Sequence, residues 1–157
     1  MRLEVTGDES QGRHRFLAPM SDYGTASERR KVRDPLTHGI IGCAITVHKE
    51  MGPGLPEGVY EECMGREMSR RGVEFTRQTV MTLSYDGRPV GRSFRPDFIV
   101  NGSVVVELKS VDVVHPRHVS QVLSYMRVSK VEIGLIINFN VEVLIHGVKR
   151  LILTKSG

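Results

Sequence analysis

The feature that most constrains the fold is a short apolar run late in the chain, from Ile133 to Phe139. Only Gly134 and Asn138 interrupt it, and it is far shorter than the roughly 18 residues that cross a bilayer as a helix. Continuous apolar residues, without polar alternation, are typical of a strand buried on both faces. The run therefore predicts a central β-sheet that other layers cover on both sides.

Three segments have the three- and four-residue periodicity of amphipathic helices. The first begins at Asp34-Pro35, an N-cap followed by a helix-starting proline. The second is predicted from about Pro56 to Arg71, and the third begins at His115-Pro116. The predicted apolar stripes are Ile40, Ile41, Ala44, Ile45 and His48 in the first helix, Val59, Tyr60, Cys63, Met64 and Met68 in the second, and Val119, Val122, Leu123 and Met126 in the third.

A two-residue period follows the second helix. Met81, Leu83 and Tyr85 alternate with polar residues, and the turn signal Asp86-Gly87 predicts a hairpin. Further strands are expected over roughly 92–100, 104–111 and 148–153, so that a three- or four-stranded meander precedes the third helix. The predicted fold class is α/β, with a mixed central β-sheet flanked by helices.

Composition narrows the kind of protein. Hydrophobic residues make up 39% and charged residues 25%, which excludes wholesale disorder. Residues 1–33 show no periodicity, so we expect a flexible N-terminal tail there and a single domain over 34–157; a basic arm that contacts phosphates is the alternative for the tail. Cys43 and Cys63 lie too far apart for a C-x-x-C motif. We expect a soluble, reduced, cytoplasmic protein with no membrane partner.

Three charged residues lie on strands that are otherwise apolar: Asp97, Glu107 and Lys109. Charges in such strands are costly unless they are paired or bind a metal. One interpretation is two carboxylates that share a divalent cation, and the other is an ion pair between Lys109 and one of the acids at a sheet edge. The residues alone do not decide between them. The net charge of +4 permits a nucleic-acid partner without identifying one.

The order of these residues resembles a known signature. Pro96-Asp97 followed by Glu107-Leu108-Lys109 is similar to the PD-(D/E)xK motif of a nuclease superfamily, and Gln121-x-x-x-Tyr125 resembles the Q-x-x-x-Y element of its exonuclease branches. The segment from Gly54 to Tyr60 resembles the G-x-x-E-x-x-Y motif of a small bacterial family of this fold. The resemblance extends over about residues 34–153 and implies a restriction-endonuclease-like core.

The resemblance implies a metal-dependent nuclease acting on DNA or RNA. Asp97, Glu107 and the backbone carbonyl of Leu108 would ligate Mg²⁺ or Mn²⁺, and Lys109 would orient the attacking hydroxide. Gln121 would hydrogen-bond a phosphate or a metal-bound water. A catalytically silent nuclease-fold module that binds nucleic acid or a protein partner is the alternative function, and a homodimer is also considered.

Four further residues have open roles. Glu57 is either an additional metal ligand or an acid favoured by the dipole of the helix start. His118, Gln121 and Tyr125 share one helical stripe, which could face the active groove as supporting residues, whereas Tyr125 could equally be core and His118 surface. Tyr60 is expected to pack, with its hydroxyl hydrogen-bonded.

Side-chain parity gives a geometric test of the metal hypothesis. A two-residue turn at Asn101-Gly102 would put Asp97 and Glu107 on opposite faces of the sheet. A three-residue turn, or a one-residue bulge, pairs Val100 with Val104 and sets the two carboxylates on one face. We predict the second arrangement, with Gly102 in the left-handed conformation.

Overall fold

The computed structural model describes residues 34–153, except for the side chain of Arg92. The predicted tail over 1–33 lies outside the described residues, as do the last four residues of the predicted domain. The elements in chain order are α1 (Pro35–Met51), α2 (Glu57–Arg70), β1 (Phe75–Arg77), β2 (Met81–Tyr85), β3 (Arg88–Phe94), β4 (Phe98–Val100), β5 (Val104–Lys109), α3 (Pro116–Ser129), β6 (Ile133–Asn138), a 3-10 turn (Leu144–Gly147) and β7 (Val148–Ile152).

Five strands form one mixed sheet in the order β1-β4-β5-β6-β7. Strands β5 and β6 are parallel and are joined by the crossover helix α3, whereas the other neighbouring pairs are antiparallel. Every residue of β6 is buried, as the continuous apolar run predicts. The α/β class and the mixed central sheet flanked by helices are confirmed.

The predicted meander is wrong in its connectivity. Strands β2 and β3 pair only with each other and form a separate two-stranded sheet, while β1 pairs with β4 at the edge of the main sheet. The strand expected over 92–100 is interrupted at residues 95–97, because Pro96 has no N–H to donate to a ladder. Strand β1 spans only three residues, too few to show a two-residue alternation.

Helices α1 and α2 cover one face of the main sheet, which we call face A. The Asp34 side chain caps α1 by accepting a hydrogen bond from the Thr37 N–H at 2.8 Å, with Pro35 in the first turn. All five stripe residues predicted for α1 are buried. In α2, Val59 is 36% exposed and Cys63 is only partly buried, so the predicted stripe is too wide there. The face A core is otherwise apolar.

Helix α3 and the β2–β3 hairpin cover the opposite face, face B. Gly134 on β6 allows α3 to approach closely, because a Cβ there would lie 2.5 Å from Met126 Sδ and 2.9 Å from Val122 Cγ1. Phe94 of the hairpin packs edge-to-face on Tyr125, with ring centroids 5.9 Å apart. The face B core is smaller than that of face A, and it leaves one end of the sheet to polar side chains.

Candidate active site

The turn between β4 and β5 sets the register of the site. The Ser103 N–H donates to the Val100 carbonyl at 2.9 Å across Asn101 and Gly102, whose φ angles are 49° and 61°. Val100 then pairs with Val104, so the connection has three residues. Because the same register pairs Phe98 with Val106, the preceding residue, Asp97, falls opposite Glu107 on face B. The predicted turn and the shared face are confirmed.

Backbone N–H groups hold the two carboxylates together. The Leu108 N–H donates to Asp97 Oδ2 at 2.7 Å, and the Asp97 N–H donates to Glu107 Oε2 at 3.3 Å. These two bonds cross between neighbouring strands at the point where β4 begins. Each carboxylate is therefore anchored by the other residue's strand.

Lys109 follows on the same face, one pleat farther along β5. Its Nζ lies 3.1 Å from Glu107 Oε1 and 4.0 Å from Glu57 Oε2 at the start of α2. The Lys109 side chain is only 11% exposed, whereas that of Glu57 is 46% exposed. One ammonium group thus lies between a buried and a half-exposed carboxylate.

Burial and mutual repulsion shift the ionisation of this cluster. Burial, together with the charge of Asp97, raises the pKa of Glu107 to about 7, although Lys109 opposes the shift. Burial also raises the pKa of Asp97 against the stabilising Leu108 N–H. For Lys109 burial alone would lower the pKa, but the neighbouring carboxylates, Glu107 first, raise it. The two acids are held where a second positive charge would stabilise their ionised forms.

A family model of the PD-(D/E)XK nuclease superfamily matches residues 34–151. The chain belongs to the PD-(D/E)XK nuclease superfamily. The match covers every helix and strand of the described domain except the last residue of β7. Members of this superfamily are generally phosphodiester-cleaving nucleases. Searches of curated proteins and of solved structures found no match to the chain.

Asp97, Glu107 and Lys109 are the three residues whose order resembles the superfamily signature in the sequence. The segment from Gly54 to Tyr60 contributes packing and hydrogen bonds through Tyr60. Tyr60 stacks on Phe139 with ring centroids 4.3 Å apart; its hydroxyl donates to the Gly52 carbonyl at 2.6 Å and accepts from the Leu55 N–H at 3.1 Å. The prediction that Tyr60 packs with its hydroxyl hydrogen-bonded is confirmed.

The polar stripe of α3 borders the cluster without a hydrogen bond to its carboxylates among the described residues. Gln121 Nε2 donates to the Tyr125 hydroxyl at 2.7 Å. The pKa of Tyr125 is raised by burial and then by the charge of Glu107. His118 Nδ1 accepts from the His115 N–H, and burial followed by the charge of Lys109 lowers the pKa of His118. Tyr125 is a core residue and His118 caps the helix. The pKa of each is shifted in part by a charged residue of the cluster.

Three residues beside Asp97 were not predicted from the sequence: Gln78, Glu61 and Arg77. Gln78 Nε2 donates to Asp97 Oδ1 and to Glu61 Oε1, both at 3.0 Å. Arg77 Nε in turn donates to Glu61 Oε1 at 2.6 Å. No spacing rule connects 78 with 97, because the link depends on β1 pairing with β4, and β1 is too short to be recognised. The one sequence feature that could have drawn attention to Glu61 is its position directly after Tyr60, the last residue of the G-x-x-E-x-x-Y motif.

A divalent cation fits the donor chemistry of the cluster in part. Carboxylate and carbonyl oxygens are the ligands that Mg²⁺ and Mn²⁺ prefer. Asp97 and Glu107 supply two such groups on one face, and burial raises the pKa of both, with the charge of Asp97 adding to the shift at Glu107. Among residues 34–153, however, no group of three or more His, Cys, Asp or Glu side chains is arranged to hold a metal. A backbone carbonyl or water would have to complete the ligand set.

No helix of the described range is long and apolar enough to span a membrane.

Proposed function

We propose that this chain is a divalent-metal-dependent nuclease that hydrolyses phosphodiester bonds in DNA or RNA. The observation that carries the proposal is the register of β4 and β5, which brings Asp97, Glu107 and Lys109 to one face of the sheet. Membership of the nuclease superfamily supports it, and the same three residues resemble the superfamily signature in the sequence. The G-x-x-E-x-x-Y motif from Gly54 to Tyr60 further suggests the bacterial family named after it.

Asp97, Glu107 and the Leu108 carbonyl would hold the Mg²⁺ or Mn²⁺ ion, with Glu57 as an additional ligand. When bound, the ion would acidify a water and neutralise charge on the scissile phosphate. The positive charge of the ion would also offset the burial and the charge of Asp97, which raise the pKa of Glu107. Both carboxylates would then be ionised at neutral pH.

Lys109 would orient the attacking hydroxide and stabilise the negative charge that develops on the phosphate. Its pairing with Glu107 at 3.1 Å supports this, since that contact fixes the ammonium beside the carboxylates. In the reaction a water oxygen forms a bond to phosphorus and the bond to the leaving oxygen breaks. Gln121 would hydrogen-bond the phosphate, with Tyr125, Tyr60 and His118 in supporting positions.

We also propose nucleic acid as the partner and the cytoplasm as the location. A homodimer or a protein partner is a separate proposal, which light scattering with and without oligonucleotide would test. The alternative function, a silent binding module, keeps the fold without turnover. The intact set Asp97, Glu107 and Lys109 favours the enzyme.

The decisive experiment is cleavage of a panel of single- and double-stranded DNA and RNA with Mg²⁺, Mn²⁺ or EDTA. Wild type is compared with Lys109→Ala and with Lys149→Ala as a matched control, because Lys149 is an exposed lysine on β7 of the same sheet. We expect metal-dependent cleavage by wild type and Lys149→Ala and its loss in Lys109→Ala. Equal cleavage by all three preparations would indicate a contaminant. Binding without cleavage in all three would favour the silent module.

A further inference from the structure

Gln78 has a backbone conformation that its residue type rarely adopts. Its φ is 52°, in the left-handed region, directly after β1 ends at Arg77. Glycine and asparagine tolerate this region readily, whereas a longer side chain with a Cβ enters it at a cost in free energy. Such strain persists only where surrounding contacts compensate for it, and it concentrates at functional sites.

Two of the contacts that compensate for this conformation are made with Asp97. The Gln78 backbone N–H donates to the Asp97 carbonyl at 3.0 Å, and its side-chain Nε2 donates to Asp97 Oδ1 at 3.0 Å. The other carboxylate oxygen, Oδ2, accepts from the Leu108 N–H. Both oxygens of Asp97 thus have a donor, which fixes the plane of the carboxylate before any ligand arrives.

The second side-chain contact of Gln78 reaches α2. The same amide nitrogen donates to Glu61 Oε1 at 3.0 Å, and Arg77 Nε donates to that oxygen at 2.6 Å. The charge of Glu61 is thereby paired with Arg77, while Gln78 remains neutral. A neutral donor can orient Asp97 without cancelling its charge. A lysine or arginine at this position would cancel that charge.

We propose that Gln78 is a positioning residue that holds the Asp97 carboxylate in the orientation that binds a divalent cation. The inference rests on the proposed function, because it requires Asp97 to be a metal ligand. Outer-shell hydrogen bonds of this kind typically change metal affinity 10- to 100-fold when they are removed. We expect a weakening in that range without loss of folding.

Gln78→Gly provides the test, because glycine accepts the left-handed backbone and removes the side chain together with its amide. Lys130→Gly is the matched control, since Lys130 also has a positive φ, 57°, at the end of α3. Gln78→Asn retains an amide on a residue that tolerates this backbone but shortens its reach. The Kd for Mn²⁺ is measured by the electron paramagnetic resonance signal of free Mn²⁺, and the melting temperature is recorded alongside.

We expect Gln78→Gly and Gln78→Asn to bind Mn²⁺ at least tenfold more weakly than wild type, with melting temperatures no lower than that of wild type. Lys130→Gly should bind as wild type does. A Kd for Gln78→Gly within twofold of wild type, while Asp97→Ala loses binding, would overturn the positioning role alone. If wild type and Asp97→Ala bind Mn²⁺ equally, the proposed metal site fails, and the inference fails with it.

Discussion

The two faces of strand β5 differ in chemistry although all six of its residues are buried. Towards face A the strand points Val104, Val106 and Leu108 into the core formed with α1 and α2. Towards face B it points Val105, which packs under α3, and then Glu107 and Lys109. Burial alone therefore does not distinguish core residues from site residues.

The difference suggests how this fold can contain buried charges. Face A is a continuous apolar layer whose burial supplies most of the hydrophobic stabilisation, at roughly 25 cal/mol per Å² of apolar surface removed from water. Face B packs only at one end, so the carboxyl end of β5 is free for ionisable groups that cost stability. Substitutions on the two faces should thus affect different properties.

The largest expected effect is on face B, at Asp97. Asp97→Asn keeps an acceptor for the Leu108 N–H but removes a proposed metal ligand, so cleavage should fall about 10³-fold, or about 4 kcal/mol. The melting temperature should change little, because the buried repulsion with Glu107 is removed as well. Single-turnover assays and thermal denaturation measure the two quantities. More than a tenth of wild-type activity in Asp97→Asn would refute the ligand role.

The neighbouring face A residue, Leu108, should behave in the opposite way. Leu108→Ala removes a fully buried side chain and leaves its backbone carbonyl in place, so we expect a loss of about 3 kcal/mol in the free energy of unfolding. Metal affinity measured well below the melting temperature should remain within threefold of wild type. Urea denaturation checks the stability. A large loss of affinity in the folded variant would mean that the two faces are coupled.

The layers of the fold were predictable because each depends on local pattern. Amphipathic stripes identify α1, α2 and α3, and the apolar run identifies β6. The parity argument at Asn101-Gly102 needed only the length of one turn. The residues left both turn lengths open, and the three-residue turn was predicted because only that turn lets Asp97 and Glu107 share the metal that the resemblance implies.

The remaining features depend on contacts between distant segments and could not be predicted. The pairing of β1 with β4 is what carries Gln78 to Asp97, and its three residues show no period. Gln121 donates to Tyr125 one helical turn away, and its expected hydrogen bond to a phosphate or a metal-bound water stays a prediction. Propensity describes neighbours along the chain, whereas the link between Gln78 and Asp97 forms across the sheet.

A third prediction concerns the contact between α3 and the sheet. In Gly134→Ala the new methyl would meet Met126 and Val122, so these side chains or α3 itself must shift. We expect a loss of about 2 kcal/mol in the free energy of unfolding from overpacking, measured by urea denaturation. Gly58→Ala is the control, because a Cβ at Gly58 has no such neighbours. A Gly134→Ala variant as stable as wild type would show that Met126 adapts without cost.

A fourth prediction is the pH dependence of metal binding on face B. With the pKa of Glu107 at about 7, about a tenth of this group is ionised at pH 6 and about nine-tenths at pH 8. Affinity for Mn²⁺ should therefore rise about tenfold between these values, or 1.4 kcal/mol. Calorimetric titration at each pH measures it. A flat profile in wild type would contradict the shifted ionisation of Glu107.

The same shift has a defined sign for stability without metal. Since folding raises the pKa of Glu107 above its usual 4.5, the folded state binds more protons than the unfolded state between about pH 4.5 and 7. The contribution of this group to the free energy of unfolding should fall as pH rises through that window. Glu107→Gln should remove this slope, and a slope that persists would have to come from another group.

The smallest expected effect is a gain in stability on the face A side, at Gly58. This residue lies in the first turn of α2 between Glu57 and Val59, and a Cβ there would meet nothing within 4 Å. Gly58→Ala should therefore raise the free energy of unfolding by about 0.4–1 kcal/mol, chiefly by restricting the unfolded chain. Cleavage should not change, because the alanine methyl does not reach Lys109. If activity falls while stability rises, the freedom of the α2 start around Glu57 contributes to the reaction, and stability and chemistry are not separated between the two faces.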